Sequence, residues 1–298
     1  MALIFENLNA SEIMTLSRED TVFFFAVGPL EDHGPHLPVG LDGFEASHLC
    51  HALAARFEIE REGRTSVLMS RVPFGIDSNT SKLVIRVRAH VLRDWLVDSC
   101  ESLFKLGFTR FVCVSGHLGP KQLTAIEEAS KFLRKKTGYF GLRRIFTAKP
   151  KTGGPILISA SSALLTKKEV FRSPFKAKPN QHGGERDTSV ALAISGELVQ
   201  SIYPALPVQL PPQNESYWGN PGEASAEKGK QILEAQIDEI YTRLKRVWAG
   251  EAVERQFKTW YSIFPPNQSL FKAWFLSLIL ALILAAWVFL SLRALIEG

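Results

Sequence analysis

The sequence predicts a three-layer α/β/α sandwich on a mostly parallel sheet, followed by one C-terminal transmembrane helix. Three observations predict it. Thr21-Val22-Phe23-Phe24-Phe25-Ala26-Val27-Gly28 and the stretch from Thr109 to Ser115 are apolar runs of the kind found in strands covered on both faces. Amphipathic helical patterns alternate with such runs, and a strand–helix–strand–helix order places helices on both faces of a parallel sheet. From Ala273 to Leu292 the chain runs 20 residues without a charge.

Taken in order, residues 11–20 are a polar lead-in to the first buried strand. From Asp42 to Phe57, the spacing of Phe44, His48, Leu49, Leu53 and Phe57 is helical. Residues 65–72 read as a second strand, ended by Pro73-Phe74-Gly75. Lys82 to Ala89 alternates apolar and basic residues, which predicts a strand with one face exposed or against a partner. Val91 to Leu106 is an amphipathic helix, with Leu92, Trp95, Leu96, Leu103 and Phe104 on its apolar side. Thr109 to Ser115 is the next buried strand, and Lys121 to Lys136 a helix with a basic last turn and a glycine stop at Gly138. Residues 143–148 and 155–158 read as further strands, and the basic run from Lys167 to Lys178 as a loop able to overhang a site. Asp187 to Leu198 is helical, Pro204 to Pro212 a proline-rich connector, and Gly222 to Trp248 a long helix with Ile232, Ile237, Ile240, Leu244 and Val247 inward.

With 298 residues, 46% of them hydrophobic, the chain can bury one large core or two modest ones. A net charge of +5 spread along the chain gives no ground for nucleic-acid binding, and none is expected. Cys50, Cys100 and Cys113 lie in apolar contexts without metal-binding spacing, as reduced core residues of a cytoplasmic protein do. Met1-Ala2-Leu3-Ile4-Phe5-Glu6 places no basic segment ahead of a long apolar one, so no secretory signal is expected.

Carboxylates and imidazoles gather at three element boundaries. Glu31-Asp32-His33-Gly34-Pro35-His36-Leu37-Pro38 follows the first buried strand, with Asp42 four residues on, at the place where open α/β sheets bind ligands. Glu31 and His33 are two apart, so in an extended segment both leave on the same side. Asp42 opens the next helix, either as its N-cap or as a ligand turned back toward them. Phe111-Val112-Cys113-Val114-Ser115-Gly116-His117-Leu118-Gly119 repeats the sequence of strand, glycine and histidine. His182-Gly183-Gly184-Glu185-Arg186-Asp187-Thr188-Ser189 sets His and Glu around paired glycines. The alternative to a metal-ligand constellation is a set of polar loops with capping residues and hydrogen-bonded core histidines.

These motifs resemble the creatininase (creatinine amidohydrolase) family. Its pattern is an E-x-H-G-x-H-L-P segment with a following D, then N-G-H-G-G-N, then H-A-G-E-x-E-T. Tyr217-Trp218-Gly219-Asn220-Pro221 and Ala226-Glu227-Lys228-Gly229 also look like the family's C-terminal signature, so the resemblance spans roughly residues 10–250. It implies two divalent metal ions: Glu31 and His117 on one, His33 and Glu185 on the other, and Asp42 bridging both. A mixed nitrogen and oxygen set suits Zn or Mn. His182 is the candidate to carry a proton to the departing nitrogen of an amide. Asp187 either orients His182 or caps the following helix, and His36 supports a ligand or the turn. His48, His51 and His90 are expected to be structural or at the surface.

The chain also departs from the family. Ser115 and Pro120 stand where the second motif has asparagines, and Leu118 where it has a glycine. Gly119 occupies the place of a glutamate in the creatininases proper, for which Glu185 is the natural substitute ligand. Arg86-Val87-Arg88 replaces a proline-glycine-threonine turn near the family's pocket. The two arginines either hold an anionic substrate or are solvated on a strand edge.

A helix from Ala273 to Leu292 is about 30 Å long, the thickness of a bilayer's hydrocarbon core. Arg255, Lys258 and Lys272 precede it and Arg293 follows, offset by Glu297, so the positive-inside rule turns the large domain to the cytoplasm. The expected organisation is an amidohydrolase-like domain over 1–250, a linker over 251–271, a transmembrane helix over 272–293 and a short tail over 294–298. The expected function is a membrane-tethered amidohydrolase for a small cyclic or linear amide or a peptide end. The alternative is a catalytically weak binding or assembly subunit. Members of the resembled family are commonly homohexamers, and a dihedral hexamer sends its C-termini to opposite faces. A smaller or non-dihedral homo-oligomer, or association with another membrane protein, is therefore expected.

Overall fold

The computed structural model describes residues 2–60, 63–76, 83–136, 154–164, 182–210, 216–258 and 268–297. A short edge strand β1 (Leu3–Ile4) and helix α1 (Ala10–Thr15) precede the central strand β2 (Thr21–Val27). The polar lead-in is therefore more structured than its composition suggests. Asn9 caps α1 and Glu12 reaches back to the Asn9 N–H, a capping box written in the sequence as N-x-x-E.

The chain continues through β3 (Leu30–Glu31), α2 (Leu41–Ile59), β4 (Thr65–Leu68), β5 (Val84–Ile85), α3 (Ala89–Lys105), β6 (Arg110–Ser115) and α4 (Pro120–Lys136). After β7 (Ile156–Ser159) come α5 (Glu185–Ser195), α6 (Ala226–Trp248), α7 (Val253–Gln256) and α8 (Gln268–Glu297). Five strands form one sheet in the order β1-β4-β2-β6-β7, with every pairing parallel. β3 and β5 form a separate antiparallel pair above it.

Every residue of β2 is buried, and its alternate side chains feed two cores. Val22, Phe24 and Ala26 pack with Leu49, Leu53 and Phe57 of α2 and Ile232, Ile240 and Leu244 of α6. Phe23, Phe25 and Val27 pack with Leu92 and Leu96 of α3 and Leu123, Ile126 and Leu133 of α4. Period-two alternation in a strand covered on both sides thus produces the three layers.

Several boundaries move for local reasons. The second strand ends at Leu68, and Val72 makes only an isolated bridge with Val27 before Pro73. The apolar–basic run after Lys82 gives two strand residues, Val84 and Ile85, paired with Leu30 and Glu31 rather than with the main sheet. The long helix starts at Ala226, capped by Ser225, because residues 221–223 form a 3-10 turn on Pro221. The strand expected at 155–158 is β7. The strand expected at 143–148 and the basic loop at 167–178 lie outside the described residues. Gly196 to Leu198, expected to end a helix, is a 3-10 turn after α5.

The chain leaves β2 for α2 on one face and β6 for α4 on the other. Adjacent strands whose connections diverge open a crevice at their C-terminal ends. Glu31 follows one of these strands and His117 the other.

Candidate metal centre

Three close backbone approaches bring the polar clusters together. Gly116, at the end of β6, lies so near the first turn of α2 that an added Cβ would fall 2.0 Å from the Asp42 carbonyl oxygen. Gly183 has φ +62°, and a Cβ there would fall 2.2 Å from the His33 carbonyl oxygen. The β3–β5 pairing fixes Glu31, whose N–H donates to Val39 O at 3.0 Å.

Within this frame Glu31, His33 and Asp42 are buried and converge with His117. His117 Nδ1 is 3.1 Å from Glu31 Oε1 and 3.5 Å from Asp42 Oδ2. His33 Nε2 is 3.5 Å from Asp42 Oδ1 and 3.8 Å from Glu31 Oε1. His33 Nδ1 lies 3.1 Å from the Glu31 carbonyl oxygen, which only accepts; Nδ1 therefore carries a proton, and Nε2 is turned to the carboxylates. Gly40, not Asp42, is the N-cap of α2, so the Asp42 side chain is not spent on its helix. Its Oδ2 is buried without a hydrogen-bond partner among the described residues, as is Nε2 of His117.

The electrostatics follow from burial and these contacts. Burial alone lowers the pKa of both histidines, but Asp42, with Asp187 and Glu31, raises His33 to about 9. In the same way Asp42 and Glu31 raise His117 to about 10. Burial pushes Asp42 up, yet His33 and His117 hold it well below the usual carboxylate range. A buried carboxylate pair that gathers protons onto two imidazoles attracts positive charge, and a divalent cation supplies that charge while releasing the protons. Two overlapping groups have ligand atoms within 4.8 Å of one another: Glu31, Asp42 and His117, and Glu31, His33 and His182. The donor set, with an Asp42 oxygen that accepts no hydrogen bond among the described residues, fits a divalent metal.

His182 stacks between His33, at a centroid distance of 4.3 Å, and Trp218, at 4.9 Å. Its Nε2 donates to the Asp32 carbonyl at 2.8 Å, which leaves Nδ1 unprotonated on the neutral ring. Burial and the nearby His33 charge lower its pKa. Asp187 Oδ2 accepts the Gly183 N–H at 2.7 Å, fixing the residue next to His182, and its Oδ1 accepts from Arg186 at 2.8 Å. Burial raises Asp187, but the Arg186 charge holds it below its usual value.

Glu185 is buried in the first turn of α5, where its Oε1 accepts from Lys228 Nζ; it belongs to neither ligand group among the described residues. His36 is buried, and its Nε2 meets Thr188 Oγ1 at 2.8 Å, bracing the Glu31–Pro38 loop against α5. His48, His51 and His90 lie outside the centre, and Arg86 and Arg88 are exposed.

Two features escaped sequence reasoning. Trp218 closes over His182 through a two-residue bridge whose only signal is the Tyr217-Trp218-Gly219 motif itself. Glu45, one turn after Asp42, takes both terminal nitrogens of Arg186 and the Gln236 amide, which ties α2 to α5 and α6. No sequence spacing reveals that pairing, because its partners are 141 and 191 residues apart.

The family model for creatininase (creatinine amidohydrolase) matches residues 6–244. This chain belongs to the creatininase family. Among solved structures, a creatinine amidohydrolase (creatininase) matches with TM-score 0.63 and 21% identity over 84% of this chain and 99% of its own. A form described as creatininase Mn matches with TM-score 0.63 and 20% identity, over 83% and 99%. A creatininase variant described as Zn-Zn type matches with TM-score 0.62 and 20% identity, over 83% and 98%. A search of curated proteins gave no match. Family membership supports an amidohydrolase, and the solved neighbours, at 20–21% identity, show the shared fold. Beyond the matched segment, this creatininase-family chain carries α8, whose stretch Phe275–Arg293 has a mean hydropathy of 2.7 and no buried residue, a candidate membrane span.

Proposed function

We propose that the chain is a membrane-tethered, binuclear metal-dependent amidohydrolase that cleaves a C–N bond in a small cyclic or linear amide or a peptide end. One observation carries this reading: the two oxygens of Asp42 face different imidazoles, Oδ1 toward His33 and Oδ2 toward His117, each at 3.5 Å. A carboxylate placed so can span two ions. Glu31 and His117 would hold one ion, and His33 the other. Glu185 is the candidate additional carboxylate there, in competition with Lys228. Zn or Mn suits the set.

Divalent ions supply Lewis acidity and a water of lowered pKa. The chain's own residues supply the rest. His182, neutral and unprotonated at Nδ1, takes a proton and returns it to the departing nitrogen. The Asp32 carbonyl fixes the tautomer, and His33 and Trp218 hold the ring between them. Asp187 positions the Gly183 backbone beside it.

α8 anchors the domain to a membrane, with the positive-inside rule placing it on the cytoplasmic face and the assembly being a homo-oligomer or a complex with another membrane protein. The Lys228 contact to Glu185 favours a second reading, a binding or assembly subunit with one ion site neutralised. Metal stripping and reconstitution decide between them. About two ions per chain, together with hydrolysis of members of an amide panel under Zn or Mn, bear out the enzyme; a folded chain that takes up no ion and cleaves nothing refutes it.

A further inference from the structure

The domain has two chemically different ends. The ligand cluster sits at the C-terminal ends of the strands, whereas the connecting helices run back antiparallel to them. α4 begins three residues after His117 and, over 17 residues at about 1.5 Å each, ends about 25 Å away. Its last turns carry Lys131, Phe132 and Arg134, followed by Lys135 and Lys136. α6 and α7 bring the chain to the same place, where Val253, Phe257 and Lys258 line a cleft with Lys131, Arg134 and Leu157. Phe257 is buried there, so the chain stays on the domain to this point. Residues 259–267 then separate Lys258 from α8. Nine residues reach at most about 32 Å.

Lys131, Arg255 and Lys258 are exposed and make no ion pair among the described residues. At the ends of α2 and α3, by contrast, Arg56 pairs with Glu60 and Asp238, and Lys105 with Glu101. Of the described carboxylates near the three exposed cations, Glu127 accepts from Ser162 and Glu251 from Gln256. Phe132, next to Lys131 in the chain, is 42% exposed, with Arg93, itself paired with Asp94 and Glu128, over its ring at 4.4 Å. Exposed cations without ion pairs, one of them next to an exposed aromatic in the chain, suit an anionic membrane interface.

We propose that this basic end docks on anionic phospholipid headgroups of the leaflet facing the domain, in the membrane that α8 crosses, which turns the metal centre away from the bilayer toward the aqueous phase. The proposal rests on the membrane reading of α8. Positive charge unpaired at the root of a short tether is drawn to the surface the tether cannot leave, and each such cation strengthens docking about fivefold.

The full chain, reconstituted in phosphatidylcholine vesicles with or without about 30% phosphatidylglycerol, tests it through lysine acylation by a membrane-impermeant reagent, read by mass spectrometry. Lys131 and Lys258 are expected to react at least about fivefold more slowly in the anionic vesicles, with the protection lost near about 0.5 M salt. Lys121, in the first turn of α4 at the metal end, is expected to react equally in both. Arg255→Glu, an exposed substitution, is expected to cut the protection by about fivefold or more. Equal reactivity of Lys131 and Lys258 in the two lipids, or protection of Lys121 in their place, overturns the docking. Flotation after alkaline extraction reports on α8 separately. A chain that floats without protection refutes docking alone, and a chain that does not float refutes the tether and the docking together.

Discussion

Asp42→Asn is the most informative single substitution, because it keeps the shape of a side chain whose two oxygens face both halves of the centre while removing its charge. At 3.5 Å and an effective dielectric near 20, a unit charge on Asp42 interacts with one on His33 or His117 by about 5 kcal/mol. A divalent cation that replaces the imidazolium protons feels at least that attraction. The amide should therefore weaken metal binding by between about three and four powers of ten. The matching effect in metal-stripped protein is a fall in the pKa of His33 from about 9, since its largest upward influence is Asp42. Metal retained after dialysis against a graded chelator series measures the first effect, and histidine ring NMR across pH 5 to 10 the second. If Asp42→Asn holds metal as tightly as the parent chain and His33 still titrates near 9, the ions do not bind between Asp42 and the imidazoles, and the proposed chemistry goes with them.

His182→Gln is expected to lower kcat by about 10²- to 10⁴-fold with bound metal unchanged; loss of an ion in that variant would instead make His182 a ligand of the Glu31 and His33 group. Burial depresses His36 to about 4, so the folded state disfavours its protonation. The associated stability is complete above the unfolded value near 6.5 and is lost as pH falls toward about 4, at most about 3 kcal/mol. Urea midpoints at pH 7.5 and 4.5 should show this loss, and His36→Gln should flatten it; an unchanged acid limb in that variant contradicts the assignment. Glu45→Ala leaves the Arg186 guanidinium buried without its main partner and should destabilise the domain by about 3–5 kcal/mol, whereas replacing Glu45 and Arg186 together with Leu and Met should cost less, both read by denaturant unfolding.

The layers of this protein are legible in its sequence because they depend on local periodicity. β2 and β6 are apolar throughout and the intervening helices are apolar on one face, and such patterns bury in only one way. α8 is legible for the same reason, since 20 uncharged residues define a helix without reference to any neighbour. The motif residues Glu31, His33, Asp42, His117 and His182 were also nameable in advance, as acids and imidazoles at element ends. Their mutual placement was not, because it depends on contacts between backbones distant in sequence. Asp42 could have been a cap until Gly40 was seen to cap α2, and Gly116 and Gly183 matter only because another chain segment passes 2.0 to 2.2 Å from where their side chains would begin. Glu185 shows the same division. Its residue type and position suited a ligand, yet the tertiary fold sets Lys228, 43 residues away, against its carboxylate. Periodicity reports which face of an element avoids water. Which charges meet across the crevice is decided only when the elements pack, since electrostatic partners are selected by distance in space and not along the chain.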